Sequence, residues 1–63
     1  AAITVRQISI LKCISNGMTN KAIAERLLVT EDAVKWHLKK IFSELGVTNR
    51  VQAVTEARLR GLL

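Results

Sequence analysis

The chain has 63 residues, enough for one small domain that buries only about 60% of the surface its unfolded chain exposes. Hydrophobic residues make up 49% of it and aromatics 3%, so any core must be built from Ile, Leu, Val and Ala, as suits packed short helices. Ten Lys and Arg against five Asp and Glu leave a charge of +5, which suits a polyanion or an acidic membrane, while one Cys and one His exclude an internal disulfide and a zinc site of protein ligands alone.

The first helix is predicted over about 5–16, with Thr4 as N-cap, Gln7 at the capping-box spacing and Gly17 as its stop. On its wheel Ile8, Ile10, Leu11 and Ile14 share an arc, and Gln7 falls inside it, so the Gln7 amide is expected to be partly buried and in need of partners. Either it only caps its own helix or it also ties that helix to the next corner. Cys13 is expected to be a small, semi-buried residue. The second helix is short, about 20–27, capped by Thr19, with Ile23, Ala24 and Leu27 inward and Ala24 marking a close approach of two helices. Leu28 and Val29 then form a corner too tight for anything but a helix-turn-helix.

Thr30 caps a third helix over about 31–45, with Glu31 and Asp32 in the first turn, where the helix dipole favours acids, and Gly46 at the left-handed stop. Val34, Leu38, Ile41 and Leu45 lie on one side of its wheel. Lys35, Trp36, Lys39 and Lys40 lie on the other, and this cationic face with an outward aromatic suits a DNA major groove. A fourth helix, about 50–60, opens at Asn49, turns Ala53, Val54 and Ala57 to the core, and ends at Gly61, after which Leu62 and Leu63 pack back. The expected fold is therefore all-α, a compact four-helix domain.

Taken together, TVRQ, ISILKCISNGMTNKAIAERL, TEDAVKWHLKKIFSELGV, NRVQAV and the closing GLL resemble the DNA-binding domain of LuxR-type transcriptional regulators, the group that includes response regulators of the NarL and FixJ kind. The match covers nearly the whole chain, and the ordered combination is specific where any one string is weak. The resemblance implies that the third helix enters the major groove, the second braces it across the backbone, and the fourth makes a symmetric dimer contact. It further implies that Lys35, Trp36 and Lys39 are the groove-facing readers, that Thr19, Asn20 and Lys21 meet phosphates, and that Arg50 does likewise.

Independently of the resemblance, the first amides of a helix point outward unsatisfied, so the helix starts near Asn20, Thr30 and Asn49 are natural phosphate sites. Lys35 and Lys39 lie one turn apart and can span neighbouring base pairs, and Lys40 adds charge beside them. Val51, Thr55, Arg58 and Leu59 face away from the core arc of the fourth helix, either as plain surface or as a two-fold contact, and the resemblance favours the dimer. The chain departs from the family pattern in several places. Val5 and Gln7 replace the Pro and Glu of the opening string, which removes a charge and predicts a folded but less stable domain. Ala33 stands for Thr, Lys40 for Asn, and Ser43 and Glu44 for a basic pair, while Trp36 stands where the family varies freely, so specificity is the least transferable property.

Blander readings stand beside these. Trp36 can serve an upstream domain or lie against Lys40 as an exposed ring, and His37, at the edge of the core arc, reads as a packed and hydrogen-bonded residue. Glu31 and Asp32 read as helix-stabilising acids. No catalytic constellation can be placed, so no enzyme and no cofactor are expected. A membrane-surface helix would embed Trp36 in its apolar stripe rather than among lysines. No run approaches the roughly 18 apolar residues of a membrane span and no signal-peptide layout opens the chain, so the expected setting is the cytoplasm. The missing initiator Met suggests that residues 1–63 are one domain from the C-terminal end of a larger regulator with an upstream regulatory domain. The expected partners are double-stranded DNA, a second copy held weakly through the fourth helix, and RNA polymerase. A sigma-factor helix-turn-helix, which works with polymerase, is the alternative, as is a module that docks an acidic protein.

Overall fold

The backbone amides at the start of a helix need acceptors from outside it, and this chain supplies one at each start. In the computed structural model, which describes residues 3–63, the four helices are α1 (Val5–Ser15), α2 (Asn20–Leu27), α3 (Glu31–Leu45) and α4 (Arg50–Leu59). Thr4 Oγ1 accepts the Gln7 amide at 3.1 Å while Gln7 Oε1 accepts the Thr4 amide at 2.9 Å, closing the expected capping box. Thr19 and Thr30 accept the amides of Ala22 and Ala33, each at 3.1 Å. Asn49 accepts that of Gln52 at 2.9 Å, and Gln52 Oε1 in turn takes the Thr48 amide at 3.0 Å.

The four C-terminal ends also follow one design. Gly17, Leu28, Gly46 and Gly61 take left-handed backbone angles, with φ of 76°, 58°, 68° and 73°. The next residue sends its amide back five positions: Met18 to Cys13 O at 3.2 Å, Val29 to Ala24 O and Val47 to Phe42 O at 3.0 Å, and Leu62 to Ala57 O at 2.8 Å. Met18, Val29, Val47 and Leu62 each pack against the core, the apolar contact that accompanies this cap. Glycine suits the left-handed residue because it has no Cβ. Leu28 holds that conformation at a cost of about 1–2 kcal/mol, and its side chain is 91% exposed, so no burial offsets the strain.

The core gathers Ile10, Leu11, Cys13 and Ile14 from α1, Ile23 and Ala24 from α2, Val34, Leu38, Ile41 and Leu45 from α3, and Ala53 and Ala57 from α4. Ile10, Leu11, Ile23, Val34 and Ile41 are fully buried, each contributing about 1.5–3 kcal/mol of apolar transfer. Two details differ from the wheel. Gln7 is buried, as its place inside the arc implied, but Ile8 is only half-buried and Cys13 is buried, because α1 packs against α3 and α4 along the Gln7, Ile10, Leu11, Ile14 line. Leu62 packs back as expected, but Leu63 is exposed.

Helix α4 is seated differently from the others. Its buried residues are two alanines, which let it lie close to α1 and α3 but anchor it with little apolar area. An arginine at each end supplies more. Arg50 Nη1 donates to Met18 O at 3.2 Å, and Arg60 Nη2 donates to Leu45 O, at the end of α3, at 3.4 Å. Arg60 Nε also pairs with Glu56 Oε1 at 2.8 Å.

Candidate nucleic-acid interface

The outward face of α3 exists because its inward face is complete. Val34, Leu38, Ile41 and Leu45 are all buried, which turns Lys35, Trp36, Lys39 and Lys40 to solvent. Trp36 is 57% exposed, a large fraction for an indole with an apolar core available nearby. Lys40 Nζ stands 5.3 Å from its ring centroid, a cation–π contact, and His37 meets it edge-on with centroids 5.1 Å apart and an interplanar angle of 81°. The ring is thus both exposed and held against Lys40. His37 is half-buried and packed as expected, and its Nδ1 is buried without a partner among the described residues.

The starts of the helices differ in their fitness for an anion. At α2, Thr19 takes the Ala22 amide and the first helical bond is Ile23 N to Thr19 O at 2.9 Å, leaving the Asn20 and Lys21 amides directed out of the helix end. No acid lies in its first turn and Lys21 is exposed beside it. At α3 the geometry around Thr30 is the same, yet Glu31 and Asp32 occupy the first turn and oppose an incoming phosphate. The start of α4 has no acid and begins with Arg50. Through the Met18 carbonyl, Arg50 lies against the residue that precedes Thr19, so two segments separated by 32 positions form one corner. The sequence reading named Arg50 but not this contact, for which no local pattern exists. Asn20 Oδ1 is buried here without a partner among the described residues.

Val51, Thr55, Arg58 and Leu59 are exposed together on α4, with Val51 at 77% and Leu59 at 78%. Beside them runs a groove of about 280 Å³ between α4 and α1, floored by Ile14 and Val54 and flanked by Arg50 and Arg58, with no acid in its lining. Lys35, Trp36, Lys39 and Lys40 therefore share one helix face, Thr19 to Lys21 and Arg50 share one corner, and the α4 set forms a further surface that meets this corner at Arg50, which lines the groove together with Val51, Thr55 and Arg58. Among the described residues no group of His, Cys, Asp and Glu is placed to hold a metal, and no helix is long and apolar enough to cross a membrane.

Known proteins share this arrangement. The sequence profile of bacterial regulatory proteins of the luxR family matches residues 1–57. The chain is 79% identical over 63 residues to the HTH-type transcriptional regulator AlkS of Alcanivorax borkumensis, covering 100% of this chain and 7% of that protein. It is 41% identical over 61 residues to the transcriptional regulatory protein YdfI of Bacillus subtilis, covering 97% of this chain and 29% of that one. In structure it is similar to the response regulator ChrA of a heme-sensing two-component system, with a TM-score of 0.97 at 41% identity over 100% of this chain and 31% of ChrA. On the matched residues, the identities and the shared four-helix frame, the chain belongs to the luxR family of bacterial regulatory proteins, as a helix-turn-helix DNA-binding domain of the kind found in transcriptional regulators.

Proposed function

We propose that the domain binds double-stranded DNA sequence-specifically to regulate transcription, with α3 in the major groove and two copies paired through α4 on paired half-sites. The observation that carries this reading is the division of α3 into a closed aliphatic face and an open face of three lysines around an exposed tryptophan. Lys35 and Lys39 reach base edges one turn apart, and Trp36, braced by Lys40, offers its ring to the apolar thymine methyl or a sugar. Thr19, Asn20 and Lys21 with Arg50 clasp one phosphate run, and Thr30 and Lys40 lie at its outer edge, the former weakened by Glu31 and Asp32.

The pairing surface is Val51, Thr55, Arg58 and Leu59, an exposed apolar patch with one cation, small enough that pairing is weak in solution and completed on DNA. The chain spans 7% of AlkS and 31% of ChrA; in this reading a regulatory domain lies elsewhere in the parent protein, the setting is cytoplasmic, and RNA polymerase is the partner of the whole regulator. No catalytic step belongs to this reading. Selection of the domain against a randomised duplex pool at near-physiological salt tests it. A two-fold-related or directly repeated motif is expected, and retention without any motif overturns sequence-specific reading.

A further inference from the structure

Met18 is held at both of its backbone groups, and one holder lies on a different helix. The Met18 amide closes the cap of α1 on Cys13 O at 3.2 Å, and its carbonyl receives Arg50 Nη1 at 3.2 Å. A trans peptide is planar, so its C=O and the following N–H point in opposite directions. Arg50, bound at the Met18 carbonyl, therefore holds the plane of the peptide whose N–H belongs to Thr19, the N-cap of α2, with the Asn20 and Lys21 amides next along the chain. The contact is partly buried, and the guanidinium keeps further N–H groups for a second acceptor, which a lysine ammonium in the same place would present in no fixed fork. Val51, the next residue, is 77% exposed on the surface through which α4 pairs.

We propose that Arg50 is a positioning residue that couples the two surfaces: by strapping the start of α4 to the Met18 carbonyl it sets the amides of the α2 start, so that pairing through α4 tightens the phosphate clasp. This rests on the pairing and phosphate roles proposed above. The light apolar seating of α4, two buried alanines and a half-buried Val54, makes such coupling effective, since a helix held partly by straps transmits a small displacement to whatever the straps hold. The domain thus senses its partner copy at the edge of its own DNA contact, within one side chain.

The test compares wild type, Arg50→Lys and Lys21→Ala on duplexes carrying one half-site or the selected pair, with amide resonances recorded in the free proteins. Arg50→Lys keeps the charge, so the salt slope should hold, while the ratio of paired-site to half-site affinity should fall about fivefold or more. Its Thr19 amide resonance should move while that of Ala33, at the start of α3, stays. Lys21→Ala should lower both affinities and leave their ratio unchanged. An unmoved Thr19 resonance, or a moved one with an unchanged ratio, overturns the proposal. A wild-type ratio of one would instead remove the pairing reading, and the strap would then be judged on Thr19 and half-site affinity alone. Should Arg50→Lys not fold, the wild-type Thr19 and Arg50 resonances should shift more on the paired duplex than on the half-site, and equal shifts overturn the coupling.

Discussion

Helices α3 and α4 lie side by side and are secured by different forces. Four aliphatic side chains sink α3 into the core, so its orientation follows from non-directional burial. Only Ala53 and Ala57 of α4 are buried, with Val54 half-buried against the core, and directional bonds add to this attachment: Arg50 to Met18 O and Arg60 to Leu45 O. Apolar anchoring leaves the outer face of α3 free to vary without loss of fold, which suits a surface that must read different targets. Polar straps make the position of α4 depend in part on single hydrogen bonds, which would suit the pairing surface proposed above.

The contrast can be broken most severely at Ile41. It is fully buried, and Ile41→Ala should cost about 2–5 kcal/mol in urea unfolding followed by circular dichroism. A chain this short holds only roughly 3–9 kcal/mol in all, so the variant should be largely unfolded near room temperature; a loss under about 1 kcal/mol would mean that α3 is not the anchor. Next in size is Lys39→Ala, which should cost about 1–3 kcal/mol in binding and relax the selected motif while leaving stability within about 0.5 kcal/mol. Lys21→Ala should instead weaken all duplexes alike and lower the salt slope by about 0.9. Equal losses on every sequence for Lys39→Ala would remove it from the readers.

Arg60→Ala sharpens the other half of the contrast. It removes the bond to Leu45 O and an exposed Glu56 pair, the pair itself worth only about 0.3–0.5 kcal/mol, for a total near 1 kcal/mol in the same unfolding assay. No change would show that this strap adds nothing to the seating of α4. The smallest effect has the opposite sign. Leu28→Gly relieves the left-handed strain but frees the unfolded chain, and a net gain of up to about 1 kcal/mol is expected as a raised urea midpoint. A loss there would show that the exposed Leu28 side chain makes a contact in solution.

Most of the fold was legible because its signals are local. Thr4, Thr19, Thr30 and Asn49 each mark a helix start within three residues of the amide they accept, and periodicity alone separates Val34, Leu38, Ile41 and Leu45 from Lys35, Trp36, Lys39 and Lys40. What escaped is either long-range or contrary to propensity. Nothing near Arg50 or Arg60 points to Met18 or Leu45, and leucine is a poor residue for the left-handed angle that Leu28 takes. The burial of Cys13 ahead of Ile8 depends on which neighbours α1 meets, which a wheel does not contain. The Gln52 contact also escaped: Asn49 and Gln52 repeat the spacing of Thr4 and Gln7, but Gln52 Oε1 accepts the amide of Thr48 rather than that of Asn49. Of the candidate DNA contacts, exposure could be foreseen for each side chain, but the joining of Arg50 to the α2 start could not.

All four helices begin and end with bonds that span five residues or fewer. Their limits are thus written into the chain before any two helices meet, and time is the quantity this affects. Loops this short close in well under a microsecond, and topologies built on such local contacts assemble in microseconds to milliseconds. A helix that frays or detaches from its neighbours therefore re-forms quickly with the same ends, and brief opening of the domain need not erase the arrangement of the Lys35, Trp36 and Lys39 face.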